Sequence, residues 1–176
     1  MKVAIDIDGV IAKHRILFYR HLAFHGKPET PEAIDEALQL GSEVFEDGIP
    51  PVGFYMALDE IEGAHKGVHE IVNRGHEVCF LTNRMGNTIA AFETYLWMSS
   101  RLFPNLVIIF NETDSFNNAP QIKAEQVKEH EFDVVIDDYP RVLEEIRKIN
   151  PNTTTILFST WDKTIELLDR LEKVNE

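Results

Sequence analysis

Short apolar runs alternate along the chain with longer amphipathic stretches. The first run, residues 2–11, begins with β-branched and small apolar side chains and reads as a buried parallel strand. Similar runs recur at 76–81, 106–110, 132–136 and 153–158. Between them, apolar residues recur with helical spacing and predict helices over 64–73, 88–101, 121–130 and 140–149, with a last helix beyond Trp161. Gly75 stops the first of these helices, and Asn150-Pro151 stops the fourth. Strands alternating with helices of this length predict an α/β fold, a Rossmann-like parallel sheet of about five strands with helices on both faces.

Residues 12–60 break the alternation. Ile16, Leu17, His21 and Phe24 share one face of a helical stretch over 13–24, which ends in Lys27-Pro-Glu-Thr-Pro31. Thr30 can cap a second helix that starts at Pro31 and stops at Gly41. A turn-rich stretch, 46–53, then leads into Phe54-Tyr55-Met56. The predicted organisation is a core of residues 1–11 and 61–176, with a small, mainly helical insertion, 12–60, after the first strand.

Ligands of open parallel α/β sheets bind beyond the carboxyl ends of the strands. Three predicted strand ends carry polar chemistry: Asp6 and Asp8, then Thr82 and Asn83, then Asp137 and Asp138. Period two along a strand places Asp6 and Asp8 on one side, just where Gly9 lets the backbone turn away. Two carboxylates held this close need a cation between them or a proton on one of them. The first outcome is a Mg²⁺ site, and the second is a nucleophile beside a general acid. An acidic turn after a strand is the plainer alternative. Carboxylates and a hydroxyl arriving at one rim from three strands favour the chemical readings, and an all-oxygen set suits Mg²⁺. Lys123, fourteen residues ahead of Asp137, is the candidate positive group for an anionic substrate, or else an ordinary solvated helix lysine. Arg84 is a weaker candidate, for substrate phosphate or base or for a carboxylate of the insertion.

Composition narrows the partners. The chain has 176 residues and is 44% hydrophobic, enough for one domain with a proper core. A net charge of −13 argues against a nucleic-acid polymer as partner, while leaving room for a small phosphorylated substrate neutralised locally. The single cysteine, Cys79, lies in an apolar run, reads as a buried structural thiol and fits a reducing, cytoplasmic compartment. No run reaches membrane-spanning length, and the first apolar stretch is too short and too acidic for a signal peptide. His65 and His69 lack a third ligand and read as surface or packing residues. Trp161 either borders the cleft or belongs to the core, and a homodimer is left open.

Asp6-Ile-Asp-Gly-Val10, Leu81-Thr82-Asn83, Lys123 and Ile136-Asp137-Asp138 resemble the four ordered motifs of the haloacid dehalogenase superfamily. The resemblance covers nearly the whole chain. It implies Asp6 as the nucleophile that forms an aspartyl-phosphate, and Asp8 as general acid and then base, its backbone carbonyl on the metal. Thr82 and the backbone amide of Asn83 would hold phosphoryl oxygens, with Lys123 balancing charge. Asp137 and Asp138 would complete, with Asp6 and Asp8, the Mg²⁺ site. An aspartate two residues after the nucleophile favours a phosphohydrolase over a dehalogenase, because an alkoxide leaving group needs a proton. The insertion would be a cap that selects substrate, with Phe18, Phe45, Phe54 and Tyr55 as candidate selectors.

Gly53-Phe-Tyr-Met-Ala-Leu-Asp-Glu-Ile-Glu-Gly63, followed by a helix and Val78-Cys-Phe-Leu-Thr82, is similar to the cap-to-core return of the 5′(3′)-deoxyribonucleotidases. That family stacks the base between cap aromatics, which implies a nucleoside monophosphate as substrate, with Phe45 and Phe54 as base contacts. The rival readings are a phosphatase for sugar phosphates or another small phosphomonoester, one for a nucleic-acid 3′ end, and a non-catalytic phosphate- or metal-binding module. The acidic surface speaks against the 3′ end, and Asp8 speaks against the module, since a binder needs no general acid.

Overall fold

β1 (Lys2–Ile5) is the middle strand of a five-stranded sheet, paired in parallel with β2 (Glu77–Thr82) on one side and β4 (Val134–Asp137) on the other. The structure, a computed structural model, is described for residues 1–13, 52–84, 88–104, 106–111 and 118–175. β3 (Ile108–Phe110) and β5 (Thr154–Leu157) form the edges, giving the all-parallel order β3-β2-β1-β4-β5. Five α-helices are described: α1 (Ala64–Asn73), α2 (Thr88–Ser100), α3 (Ala119–Glu129), α4 (Pro140–Ile149) and α5 (Trp161–Asn175). The two helices expected within 13–41, together with Phe18 and Phe45, lie outside the described residues. No helix among the described residues is long and apolar enough to cross a membrane.

Strand periodicity explains the layers. Val3, Ile5, Val78, Phe80, Val134 and Ile136 point to one face, where Val68 and Ile71 of α1, Trp97 and Met98 of α2 and Leu168 of α5 cover them. Ala4, Cys79, Leu81 and Val135 point to the other, under Ala124 and Val127 of α3 and Val142, Leu143 and Ile146 of α4. A middle strand buried on both faces must be apolar throughout, as Val3-Ala-Ile5 is. Cys79 is part of this packing: burial pushes its thiol up to about 11, and Sγ donates to the Val107 carbonyl at 3.4 Å.

β1 and β3 are both shorter than the apolar runs suggested. β1 stops at Ile5 because the chain turns directly after Asp6: Ile11 and Ala12 both donate to the Ile7 carbonyl, at 2.9 and 2.8 Å. β3 begins at Ile108 because it is an edge strand whose pairing with β2 starts at Phe80, leaving Val107 exposed.

Trp161 belongs to the core. It is 3% exposed, its indole donates to the Val10 carbonyl at 3.0 Å, and its ring lies flat against α1 at Gly67. A Cβ at Gly67 would stand 2.0 Å from Trp161 Cε3. Gly67→Ala is therefore expected to destabilise the fold by about 2–3 kcal/mol through overpacking. Urea unfolding checks this, and an unchanged midpoint would show that Trp161 shifts without cost.

Residues 11–13 pair with residues 59–61. Ala12 pairs antiparallel with Glu60, the Lys13 N–H donates to the Asp59 carbonyl at 2.8 Å, and the Ile61 N–H to the Ile11 carbonyl at 2.8 Å. The segment before Asp59 rests on α2, where Trp97 Nε1 and Arg101 Nη2 both donate to the Leu58 carbonyl, at 2.8 and 3.1 Å.

Candidate active site

The strand order makes the site. From β1 the chain runs to β2 and β3 on one side, then crosses back to β4 on the other. The segments after β1 and β4 therefore diverge, and the crevice between them at the carboxyl ends is where this architecture binds ligands. Asp6 follows β1 directly, and its N–H donates to the Ile136 carbonyl at 2.9 Å, which carries the ladder one residue past the strand. Asp137 ends β4, and its Oδ1 accepts from the Tyr139 N–H at 2.8 Å.

Gly9 allows these two ends to meet. Its φ is +85°, and a Cβ there would lie 2.0 Å from Asp138 Oδ2. Any side chain at position 9 would displace the Asp138 carboxylate and strain the turn.

Lys123 enters from α3 and is 1% exposed. Its ammonium donates to Asp6 Oδ1 and to Asp137 Oδ2, each at 2.6 Å. The two carboxylates hold the lysine well above its usual range, outweighing the burial that opposes its charge. Burial holds the Asp6 carboxyl well above the carboxylate range, Lys123 works against that, and Asp137, Asp138 and Asp8 add to it.

One carboxylate oxygen from each of Asp6, Asp137 and Asp138 lies within 4.8 Å of the others. With all three ionised and Lys123 protonated, these four side chains carry two negative charges in excess. The donor set is oxygen only and its excess charge matches a divalent ion, so these residues fit a hard cation such as Mg²⁺.

The Asp8 carboxylate is held by a different cation. Arg84 Nε and Nη2 donate to its two oxygens as a fork, both at 2.8 Å. Arg84 is 4% exposed, and burial opposes its charge, but Asp8 more than offsets this and the guanidinium is held above its usual range. Its Nη1 donates to Thr94 Oγ1 at 2.8 Å, and that hydroxyl donates to the Ala90 carbonyl at 2.6 Å. The guanidinium stands 4.4 Å from the centroid of the Tyr55 ring.

Of the residues singled out in the sequence, Asp6, Lys123, Asp137 and Asp138 come together. Thr82 ends β2, fully buried, with its hydroxyl accepting from the Arg84 N–H at 3.2 Å. The Asn83 side chain accepts from Asn111, which follows β3. Phe54 is buried at 9% exposure and packs edge-on against Tyr55 with ring centroids 5.4 Å apart. Sequence reasoning missed the pairing of Arg84 with Asp8, and it missed Glu93, Thr94 and Asn111, all buried. A signal existed for two of them: Glu93-Thr94 is a polar pair inside an otherwise apolar helix.

No protein-family model matches the sequence, and no curated protein matches it. Solved structures do. A hydrolase from Streptococcus pneumoniae TIGR4 superposes with a TM-score of 0.58 at 16% identity, covering 96% of this chain and 97% of that one. A HAD-superfamily hydrolase of subfamily IA, variant 1, from Geobacter sulfurreducens PCA gives 0.57 at 13% identity, covering 95% and 99%. A HAD family hydrolase from Deinococcus radiodurans R1, with bound phosphate and sodium, gives 0.52 at 15% identity, covering 88% and 78%. At such identities the likeness is one of fold: the chain has the parallel α/β architecture of haloacid dehalogenase-type hydrolases.

Proposed function

We propose that the chain is a Mg²⁺-dependent phosphomonoesterase that works through an aspartyl-phosphate on Asp6. The observation that carries this reading is the buried Lys123 ammonium shared between Asp6 and Asp137 at 2.6 Å each, beside Asp138. The phosphate bound by the Deinococcus hydrolase supports it.

An Asp6 oxygen attacks phosphorus, and the bond from phosphorus to the leaving oxygen breaks while Asp8 gives that oxygen its proton. Water then attacks phosphorus, Asp8 takes a proton from it, and the phosphorus–Asp6 bond breaks to release phosphate. Lys123 holds the nucleophile in place and balances charge shared between Asp6 and the phosphoryl group. Thr82 and the Asn83 amide would hold the phosphoryl oxygens. Asp6, Asp137 and Asp138, with the Asp8 carbonyl, would hold Mg²⁺, which when bound screens the anionic substrate from the carboxylates.

Nucleoside monophosphates are the proposed substrates, with residues 12–60 as the cap that selects the leaving group. Antiparallel pairing where this segment leaves and returns supports an insertion. Tyr55, next to the Asp8–Arg84 pair, and Phe54, packed edge-on against it, support an aromatic wall on the leaving-group side. Phosphate release would be measured with Mg²⁺ and with chelator, over deoxy- and ribonucleoside 5′- and 3′-monophosphates, sugar phosphates and 4-nitrophenyl phosphate. Turnover of one nucleotide class, lost in chelator, is the expected result. Turnover of sugar phosphates or the aryl phosphate alone would sink the nucleotide assignment, and release from none would leave a binding module.

A further inference from the structure

We infer that Arg84 is a positioning residue that fixes the carboxylate of Asp8 toward the leaving oxygen. The inference rests on the reading of Asp8 as general acid. Asp8 lies just beyond β1, bridged in parallel to Ala12. The fork from Arg84 Nε and Nη2 fixes both of its oxygens at once, which a lysine could not do.

Arg84 is in turn held on three sides. Nη1 is tied to Thr94, and through that hydroxyl to the Ala90 carbonyl of α2. The backbone N–H of Arg84 is tied to Thr82 Oγ1. The Tyr55 ring lies at 4.4 Å, and its own segment is anchored by Glu93, which accepts from the Gly53 and Tyr55 N–H groups at 2.5 and 3.2 Å. Adjacent residues of α2, Glu93 and Thr94, therefore fix the aromatic wall and the arginine together.

The alternative, that Arg84 grips substrate phosphate, conflicts with this geometry: its Nε/Nη2 edge is occupied by Asp8, Nη1 is tied to Thr94, and the residue is 4% exposed.

Leaving-group dependence tests the inference. Phenyl phosphate and 4-nitrophenyl phosphate are similar in shape but release oxygens of very different basicity, so only the first depends strongly on proton donation. Arg84→Lys is expected to lower kcat/KM for phenyl phosphate by about 10–100-fold, and by at least fivefold less for 4-nitrophenyl phosphate. Asp8→Asn should show the same split, and adding Arg84→Lys to it should cost no more than about threefold further. Thr94→Val, which removes only the hydroxyl that receives Nη1, should give the split at about threefold; it decides the matter if Arg84→Lys does not fold. Equal losses on both substrates, or full additivity with Asp8→Asn, would overturn the positioning role while leaving the phosphatase reading intact. If only nucleoside monophosphates are turned over, Arg84→Lys is compared with the wild type on those, whose alkoxides need the proton, and an unchanged kcat/KM overturns the positioning role. A wild-type chain that hydrolyses neither the esters nor any nucleotide would overturn both.

Discussion

Asp6→Asn is expected to abolish phosphate release, by about 10³-fold or more, while leaving the fold as stable as the wild type to within about 1 kcal/mol. The two halves of this result have one cause. Burial makes the charged form of Asp6 costly, and the surrounding carboxylates add to that cost. A neutral isostere therefore removes an unfavourable charge, and its amide oxygen can still accept from Lys123. The same change removes the oxygen that would attack phosphorus, because an amide is not a nucleophile here. Rates with Mg²⁺ and a thermal melt on the same protein check both halves. Retained turnover would remove Asp6 as the nucleophile, and a collapsed fold would show that the Asp6–Lys123 ion pair is a structural necessity.

Lys123→Met should have the largest effect on stability, on the order of 3–5 kcal/mol. Methionine fills much of the same volume but leaves Asp6 and Asp137 buried without the ammonium that sits 2.6 Å from each. For a domain of this size such a loss lowers Tm by on the order of 10 °C. Activity should fall with it, since Lys123 balances the charge on the nucleophile. Two further measurements separate the electrostatic cause from a packing defect. Asp6→Asn in the same chain should recover part of the lost stability, because one of the two stranded charges is then gone. Mg²⁺ should raise the Tm of Lys123→Met more than that of the wild type, because the cation replaces missing positive charge. A double variant as unstable as Lys123→Met alone would point to packing.

Most of the architecture was legible in the sequence, since it depends on local pattern. A strand buried on both faces must be apolar along its whole length, and an alternation of such runs with helices leaves few topologies open. Strand ends, by the same logic, show where polar side chains collect. Asp6, Thr82, Asp137 and Lys123 were visible because each sits at a strand end or at a fixed distance before one.

Tertiary structure alone decided which charge faces which. Asp6 and Asp8 are two residues apart and chemically identical, yet one is held by Lys123 and the other by Arg84, 76 residues away from it in the chain. That division depends on a turn at Gly9 with positive φ and on the pairing of β1 with β2, the strand that leads into Arg84, which no local pattern encodes. Trp161 and Gly67 make the same point in the core, where a helix-face glycine has its reason only in a ring ninety-four residues further along. Burial patterns are written along the chain because each residue answers to water alone. Ion pairs and close approaches answer to a distant partner, and they exist only once the sheet has brought the two together.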